Sequence, residues 1–181
     1  MSSLPILLVN PRLLLIGGGQ VAYRKAQVLI DNQVDFALIA QTFLPVFDML
    51  ESKLGLECRA VTEDDLNGFN IIVDATGNPD VAALVLRVKE QRGLLVNIAA
   101  DPGKSDFFFS AMVNYGLLKV AVSTDGASPT VGQVVRDKIK TLIPPSVNQL
   151  LQGINAQRKD GVITPDLSRT QIEQAFDEKG E

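Results

Sequence analysis

Leu13-Leu14-Leu15-Ile16-Gly17-Gly18-Gly19-Gln20-Val21-Ala22 decides the fold of this chain. Four consecutive apolar residues suit a strand buried on both faces, and the glycines that follow break it abruptly. Glycine lets a backbone turn sharply and approach a ligand without a Cβ in the way, and a helix starting there offers unpaired N–H groups to an anion. The spacing Gly17-x-Gly19-x-x-Ala22 fits G-x-G-x-x-[G/A], the strand–turn–helix fingerprint of dinucleotide binding. A tight turn that binds nothing would need the same glycines, so the context on either side carries weight.

That context is a repeated alternation. Val21, Ala22, Ala26, Leu29 and Ile30 fall at helical spacing over residues 21–30, and Phe36–Ala40 is a second buried strand. Phe43, Val46, Phe47 and Leu50 predict a second amphipathic helix, followed by a short strand around Leu56–Ala60. Ile71–Ala75 is a further buried strand. Asn78-Pro79 caps and opens a helix running to about Arg92, and Leu94–Ile98 is the next strand. Such β-α-β-α order predicts an α/β fold whose Rossmann-type parallel sheet occupies residues 1–112. Beyond it, Phe107-Phe108-Phe109 and Leu117–Ser123 read as extended segments joined through Asn114-Tyr115-Gly116. Ser128 caps a helix opened by Pro129, with Val131, Val134, Val135, Ile139 and Leu142 in one apolar stripe, and Pro144-Pro145 ends it. Residues 113–145 thus form a small strand-helix region, and 146–181 a helical C-terminal segment with a break at Gly161. Two strands outside the main sheet bury their faces poorly alone, which predicts a second subunit, a homodimer.

Composition narrows the function. Of 181 residues 46% are hydrophobic and 21% charged, as in folded soluble proteins, and no apolar run suits a membrane helix. The net charge of −4 argues against nucleic acid as a partner. The start Met1-Ser2-Ser3-Leu4-Pro5 lacks the pattern of a secretory signal, and the single cysteine, Cys58, fits a reducing cytoplasm. There is no histidine, which removes the commonest general base and transition-metal ligand, so no metal site is expected. Proton transfer is left to carboxylates, lysine, tyrosine or the ligand.

Taken in order, Leu4-Pro5-Ile6, Gly17-Gly18-Gly19-x-Val21-Ala22-x-Arg24-Lys25, Ala75-Thr76, Asn97, Asp101-Pro102, Asp106-Phe107 and Ser123-Thr124-Asp125-Gly126-Ala127-Ser128-Pro129 resemble the precorrin-2 dehydrogenase / sirohydrochlorin ferrochelatase family, the dehydrogenase part of sirohaem synthase. The likeness extends from residue 4 to about residue 145. It implies NAD-dependent oxidation of precorrin-2 to sirohydrochlorin, a Rossmann domain, a dimerisation domain of swapped elements and a helical C-terminal part. Some members also insert Fe²⁺ into the product.

By position, the cofactor residues are Gly17, Gly19, Gln20 and Val21 at the pyrophosphate, Gln41 and Thr42 beyond the second strand, and Thr76 and Asn97 at later strand ends. The second strand closes on Ile39-Ala40-Gln41-Thr42 with no carboxylate for the ribose, so charge does not select NAD over NADP. A polycarboxylate substrate needs cations. Arg24, Lys25, Lys104, Arg136 and Lys140 are candidates, with Thr124 and Ser128 as hydroxyl donors. In much of the family the strand-ending Asn is followed by x-x-Asp, given the acid–base role, but here Asn97-Ile98-Ala99-Ala100 places alanine there. Three accounts stay open: hydride transfer needs no base at that place, Asp101, Asp106 or Asp125 substitutes, or the chain is an inactive binding module. Metal insertion must also remove two pyrrole protons, so weak or absent chelatase activity is expected.

Overall fold

The computed structural model describes residues 8–51, 55–144, 146–162 and 165–177. The predicted roles of Leu4-Pro5-Ile6 and Pro145 lie outside them. The chain divides into two compact units, one ending at Phe109 and one beginning at Ser110.

In the first unit, β1 (Leu13–Ile16), β2 (Phe36–Ala40), β3 (Leu56–Cys58), β4 (Ile71–Asp74) and β5 (Leu95–Ile98) form a wholly parallel sheet in the order β3-β2-β1-β4-β5. The order reverses between β1 and β4, the place where open α/β sheets take their ligands, and the glycine turn leaves β1 there. Leu13, Leu15, Ile71 and Val73 pack on one face with Ala22, Ala26 and Leu29 of α1 (Gln20–Asp31). Leu14, Ile16, Ile72, Val96 and Ile98 pack on the other with Val85 and Val88 of α3 (Pro79–Arg92). Burial on both faces explains why these strands read as unbroken apolar runs. Asn78 caps α3 by accepting from Asp80 N (2.8 Å), and Gly93 closes it in the left-handed conformation.

Two elements differ from expectation. The second amphipathic helix is a 3₁₀ turn (Pro45–Phe47) running into α2 (Asp48–Glu51). Proline presets the first helical dihedral at Pro45, and Phe47 is buried by edge-on contact with Tyr23 and Phe43. Phe107–Phe109 is not a strand of the second sheet: Phe107 and Phe109 pack on the α1 face of the first. The segment before them covers the free edge of β5. Asp106 N donates to Val96 O (2.8 Å), Val96 N donates to Asp106 Oδ2 (2.9 Å), and Ile98 N donates to Ser105 Oγ (2.9 Å). Side chains thereby occupy edge donors that would otherwise invite another strand.

The second unit is an antiparallel hairpin, β6 (Ala111–Tyr115) and β7 (Leu118–Val122), with α4 (Pro129–Leu142), α5 (Val147–Lys159) and α6 (Pro165–Asp177). Val113, Ile143 and Val147 form its buried core, with Ile139 packed against them. The hairpin turn holds Gly116 at φ +67, and Leu117 N donates to Asn148 Oδ1 of α5 (3.0 Å). The α4 stripe has little cover: Val131, Val134 and Leu142 are 53%, 51% and 69% exposed. Among the described residues no helix is long and apolar enough to cross a membrane.

Candidate functional site

The three glycines of the turn have separate tasks. Gly17 is buried at φ +127, where a side chain would be strained and its Cβ would lie 2.8 Å from Ala75 O; Gly17 N donates to Ile39 O (2.9 Å). At Gly18 a Cβ would lie 2.0 Å from Thr42 O, while Leu44 N donates to Gly18 O (2.9 Å). These two weld the turn to the chain beyond β4 and β2. Gly19 differs: a Cβ there meets nothing within 4 Å. Its exposed backbone is the N-cap of α1, no side chain caps the helix, and the first turn holds no acidic residue. An uncapped helix start behind an open glycine, at the switch point of the sheet, fits the pyrophosphate of a dinucleotide. Gln20 and Val21, both exposed, form the first helical positions there.

Gln41 and Thr42 follow β2 with exposed side chains, and Gln41 O accepts from Cys58 Sγ (3.3 Å). Thr76 follows β4 and binds the buried Asp74 twice, Oγ1 and N both donating to Asp74 Oδ1 (2.6 and 2.9 Å). Thr76 Oγ1 accepts from Asn78 N in turn (3.0 Å), so its hydroxyl organises the β4–α3 turn.

Lys25 and Asn97 come together across 72 residues of sequence. Lys25 Nζ donates to Asn97 Oδ1 (2.8 Å), and Asn97 Nδ2 donates to Phe107 O (2.9 Å), which fixes the orientation of the buried amide. The ammonium stands 4.1 Å from the centre of the Phe109 ring. Burial lowers the Lys25 pKa from 10.5 to about 8. Composition and spacing missed Phe109 and the depth of Lys25. A signal was present: Lys25 lies three residues after Ala22 and four before Leu29, on the inward face of α1.

The carboxylates sit otherwise. Ala100 is exposed in the turn after β5. Asp101 caps the 3₁₀ turn Pro102–Lys104, accepting from Gly103 N (3.2 Å) and pairing with Lys104 Nζ (2.9 Å). The Lys104 ammonium holds its carboxyl below the usual range, which makes Asp101 a weak proton acceptor and commits Lys104. Asp106 pairs with Lys89 while bonding the β5 edge. Arg24 is exposed on α1.

Thr124, Asp125, Ser128, Arg136 and Lys140 belong to the second unit. Thr124 Oγ1 donates to Ser128 O (3.0 Å) and accepts from Ser128 N (3.2 Å), and Ser128 Oγ accepts from Val131 N (3.3 Å) to cap α4. Asp125 takes a left-handed φ of +50 between them. Arg136 pairs with its neighbour Asp137, and Lys140 O accepts from Tyr115 Oη (3.0 Å).

Comparison with known proteins agrees with this architecture. Residues 5–111 match the family described as putative NAD(P)-binding, and residues 116–142 match the sirohaem biosynthesis protein central family. Siroheme synthase 2 of Aeromonas salmonicida (strain A449) is 34% identical over 131 residues, covering 72% of this chain and 27% of that protein. Siroheme synthase of Methylococcus capsulatus (strain ATCC 33009 / NCIMB 11132 / Bath) is 35% identical over 133 residues, covering 72% of this chain and 28% of that one. The chain thus spans about a third or less of the length of these relatives. The solved structure of SirC, precorrin-2 dehydrogenase, has the same fold at a TM-score of 0.74 and 22% identity, covering 97% of this chain and 98% of that chain. With both family models matched in order along one chain, and with the motifs that carry the resemblance, this chain belongs to the precorrin-2 dehydrogenase / sirohydrochlorin ferrochelatase family, the NAD(P)-binding part of siroheme synthases.

Proposed function

We propose that this chain oxidises precorrin-2 to sirohydrochlorin with NAD⁺, acting in the cytoplasm as a homodimer. The observation that carries the reading is the presence, in one chain, of a dinucleotide cradle at Gly19 and a sirohaem-biosynthesis central module at residues 116–142. Gly17, Gly19, Gln20 and Val21 hold the pyrophosphate; Gln41 and Thr42 lie towards the ribose, and Thr76 and Asn97 line the strand ends beyond it. The bound dinucleotide supplies the hydride acceptor. Arg24, Lys25, Lys104, Thr124, Ser128 and Arg136 are the proposed contacts for substrate carboxylates, with Asp101 and Asp125 as the carboxylates proposed for proton handling. The engagement of Asp101 with Lys104 weighs against it in that role. The exposed α4 stripe is the proposed dimer face.

Alanine at position 100, with Asp101 tied to Lys104, supports weak or absent Fe²⁺ insertion, which requires two pyrrole protons to be removed. Ala100 also favours a second reading, a dinucleotide- and tetrapyrrole-binding module without turnover. Anaerobic incubation with precorrin-2 and NAD⁺ separates the two: substrate-dependent NADH formation establishes the dehydrogenase. If both ligands bind without NADH forming, Ala100→Asp decides: recovery of turnover marks a disabled enzyme, and continued silence favours the binding module. Sirohydrochlorin with Fe²⁺ or Co²⁺ should show insertion no faster than the uncatalysed rate, and clear acceleration would overturn that part.

A further inference from the structure

Lys25 is an unusual lysine. Its side chain is drawn inward beside the carboxyl end of β5, where Asn97 fixes the position of Nζ and the Phe109 ring covers it. Buried ammonium groups ordinarily pair with a carboxylate, because desolvation is otherwise uncompensated. Among the described residues Lys25 has no such partner. The charged groups of the elements around it are engaged elsewhere. Asp106 pairs with Lys89, Asp101 with Lys104, and Asp74 takes both donors of Thr76. Arg24, next to it in sequence, is exposed on α1. The ring face favours the ammonium and burial the neutral amine; burial prevails, and the pKa falls to about 8. Asn97 Oδ1 accepts from Nζ in either protonation state, and the second bond of that amide, to Phe107 O, keeps the oxygen turned towards Lys25. The group is therefore held in place while free to gain and lose a proton.

We infer that Lys25, positioned by Asn97 and Phe109, is the proton acceptor of the dehydrogenation. The inference rests on the function proposed above, and within it moves Lys25 from carboxylate contact to proton acceptor in place of Asp101 and Asp125. The reaction removes two electrons and two hydrogens from the tetrapyrrole. One ring C–H bond breaks with its electron pair, which leaves as hydride to the oxidised dinucleotide. One ring N–H bond then breaks, its electron pair entering the extended conjugation and its proton passing to the neutral Lys25 amine. Substrate, NAD⁺ and amine become product, NADH and ammonium, and water restores the amine. A lysine with a pKa near the working pH suits this task, and it stands in a chain whose position 100 cannot supply a carboxylate.

The test compares wild type with Lys25→Arg and Lys25→Ala. Arginine keeps the charge and donates to Asn97, but has no neutral form at usable pH. Wild-type kcat/KM should rise about tenfold per pH unit below about 8 and level off above it, since the base must be neutral. Both variants should lose about 10²–10⁴-fold in kcat, and small primary amines should restore turnover to Lys25→Ala. NADH affinity of Lys25→Arg should match wild type, and so should its melting temperature at pH 7, where both side chains are charged, whereas above about pH 8 it should fall below wild type. An NMR titration of the ¹³Cε signal absent from Lys25→Arg reads the lysine without turnover, with a midpoint near 8 expected. A midpoint above 10, or a Lys25→Arg enzyme with wild-type rate and pH profile, overturns the role of Lys25 and leaves the dehydrogenase standing. Wild type that binds both ligands and forms no NADH overturns the dehydrogenase itself, whatever the NMR midpoint.

Discussion

Two neighbouring glycines should respond to the same substitution in opposite ways. In Gly18→Ala the new Cβ would stand 2.0 Å from Thr42 O, against 3.4–4 Å for ordinary contact, so the two backbones must part by more than 1 Å. Neither side yields easily, because Leu44 N already binds Gly18 O at 2.9 Å and ties the turn to the chain beyond β2. Overpacking of this kind costs about 1–3 kcal/mol, and backbone on both sides puts the expectation near the upper end. At about 2–4 °C per kcal/mol for a chain of this size, the melting temperature should fall by about 6–12 °C. In Gly19→Ala the backbone is already extended, at φ −90, and the Cβ enters open space. Stability should change by less than about 1 kcal/mol, since only an N-cap preference is disturbed. The methyl group would instead occupy the approach of the pyrophosphate, so affinity for NADH should fall at least about tenfold, or about 1.4 kcal/mol. Thermal unfolding and fluorescence titration with NADH read the two effects separately. Wild-type melting in Gly18→Ala refutes the close approach, and wild-type affinity in Gly19→Ala refutes the cradle.

Other expectations follow from individual contacts. Because the folded pKa of Lys25 is lowered to about 8 from 10.5, the unfolded chain holds a proton between those values that the folded chain has released. Stability should therefore rise with pH across that window, and denaturation of Lys25→Met should lack the slope. Ser105→Ala removes the acceptor of Ile98 N and uncovers the β5 edge; a loss of about 1–3 kcal/mol and faster amide exchange at Ile98 are expected, and unchanged exchange would refute the edge cover. Asp65 binds the Arg59 guanidinium through both oxygens and accepts from Thr62 N and Oγ1, which holds its carboxyl well below the usual range. Its stabilisation is present above about pH 4 and is lost as pH falls further, so the gap in melting temperature between wild type and Asp65→Asn should close on acidification.

The sheet was legible because parallel strands buried on both faces leave continuous apolar runs, and the helix starts were legible because caps such as Asn78-Pro79 and Ser128-Pro129 are local. Phe107–Phe109 misled because aromatic residues favour strands wherever they pack on a flat surface. Here two of them pack beneath α1, while the preceding Ser105 and Asp106 bond the sheet edge through side chains rather than through a ladder. The second amphipathic helix opens as a 3₁₀ turn at Pro45, whose ring presets the first helical dihedral. The glycine turn marked a candidate dinucleotide cradle but not that its three glycines differ, since the distinction lies in contacts with Thr42 and Ala75. Lys25 looked like one of several surface cations. Its partners Asn97 and Phe109 are brought to it by the fold, and no sequence window contains all three.

The proposed function has this chain move hydride from a tetrapyrrole to a nicotinamide. The direct measurement is the stoichiometry of a single anaerobic reaction, in which enzymatically prepared precorrin-2 is limiting, NAD⁺ is in excess, and both NADH and the sirohydrochlorin spectrum are followed. One NADH per sirohydrochlorin formed, with neither appearing when protein or NAD⁺ is omitted, is the predicted result. Sirohydrochlorin formed only at the uncatalysed rate and without NADH would contradict the account.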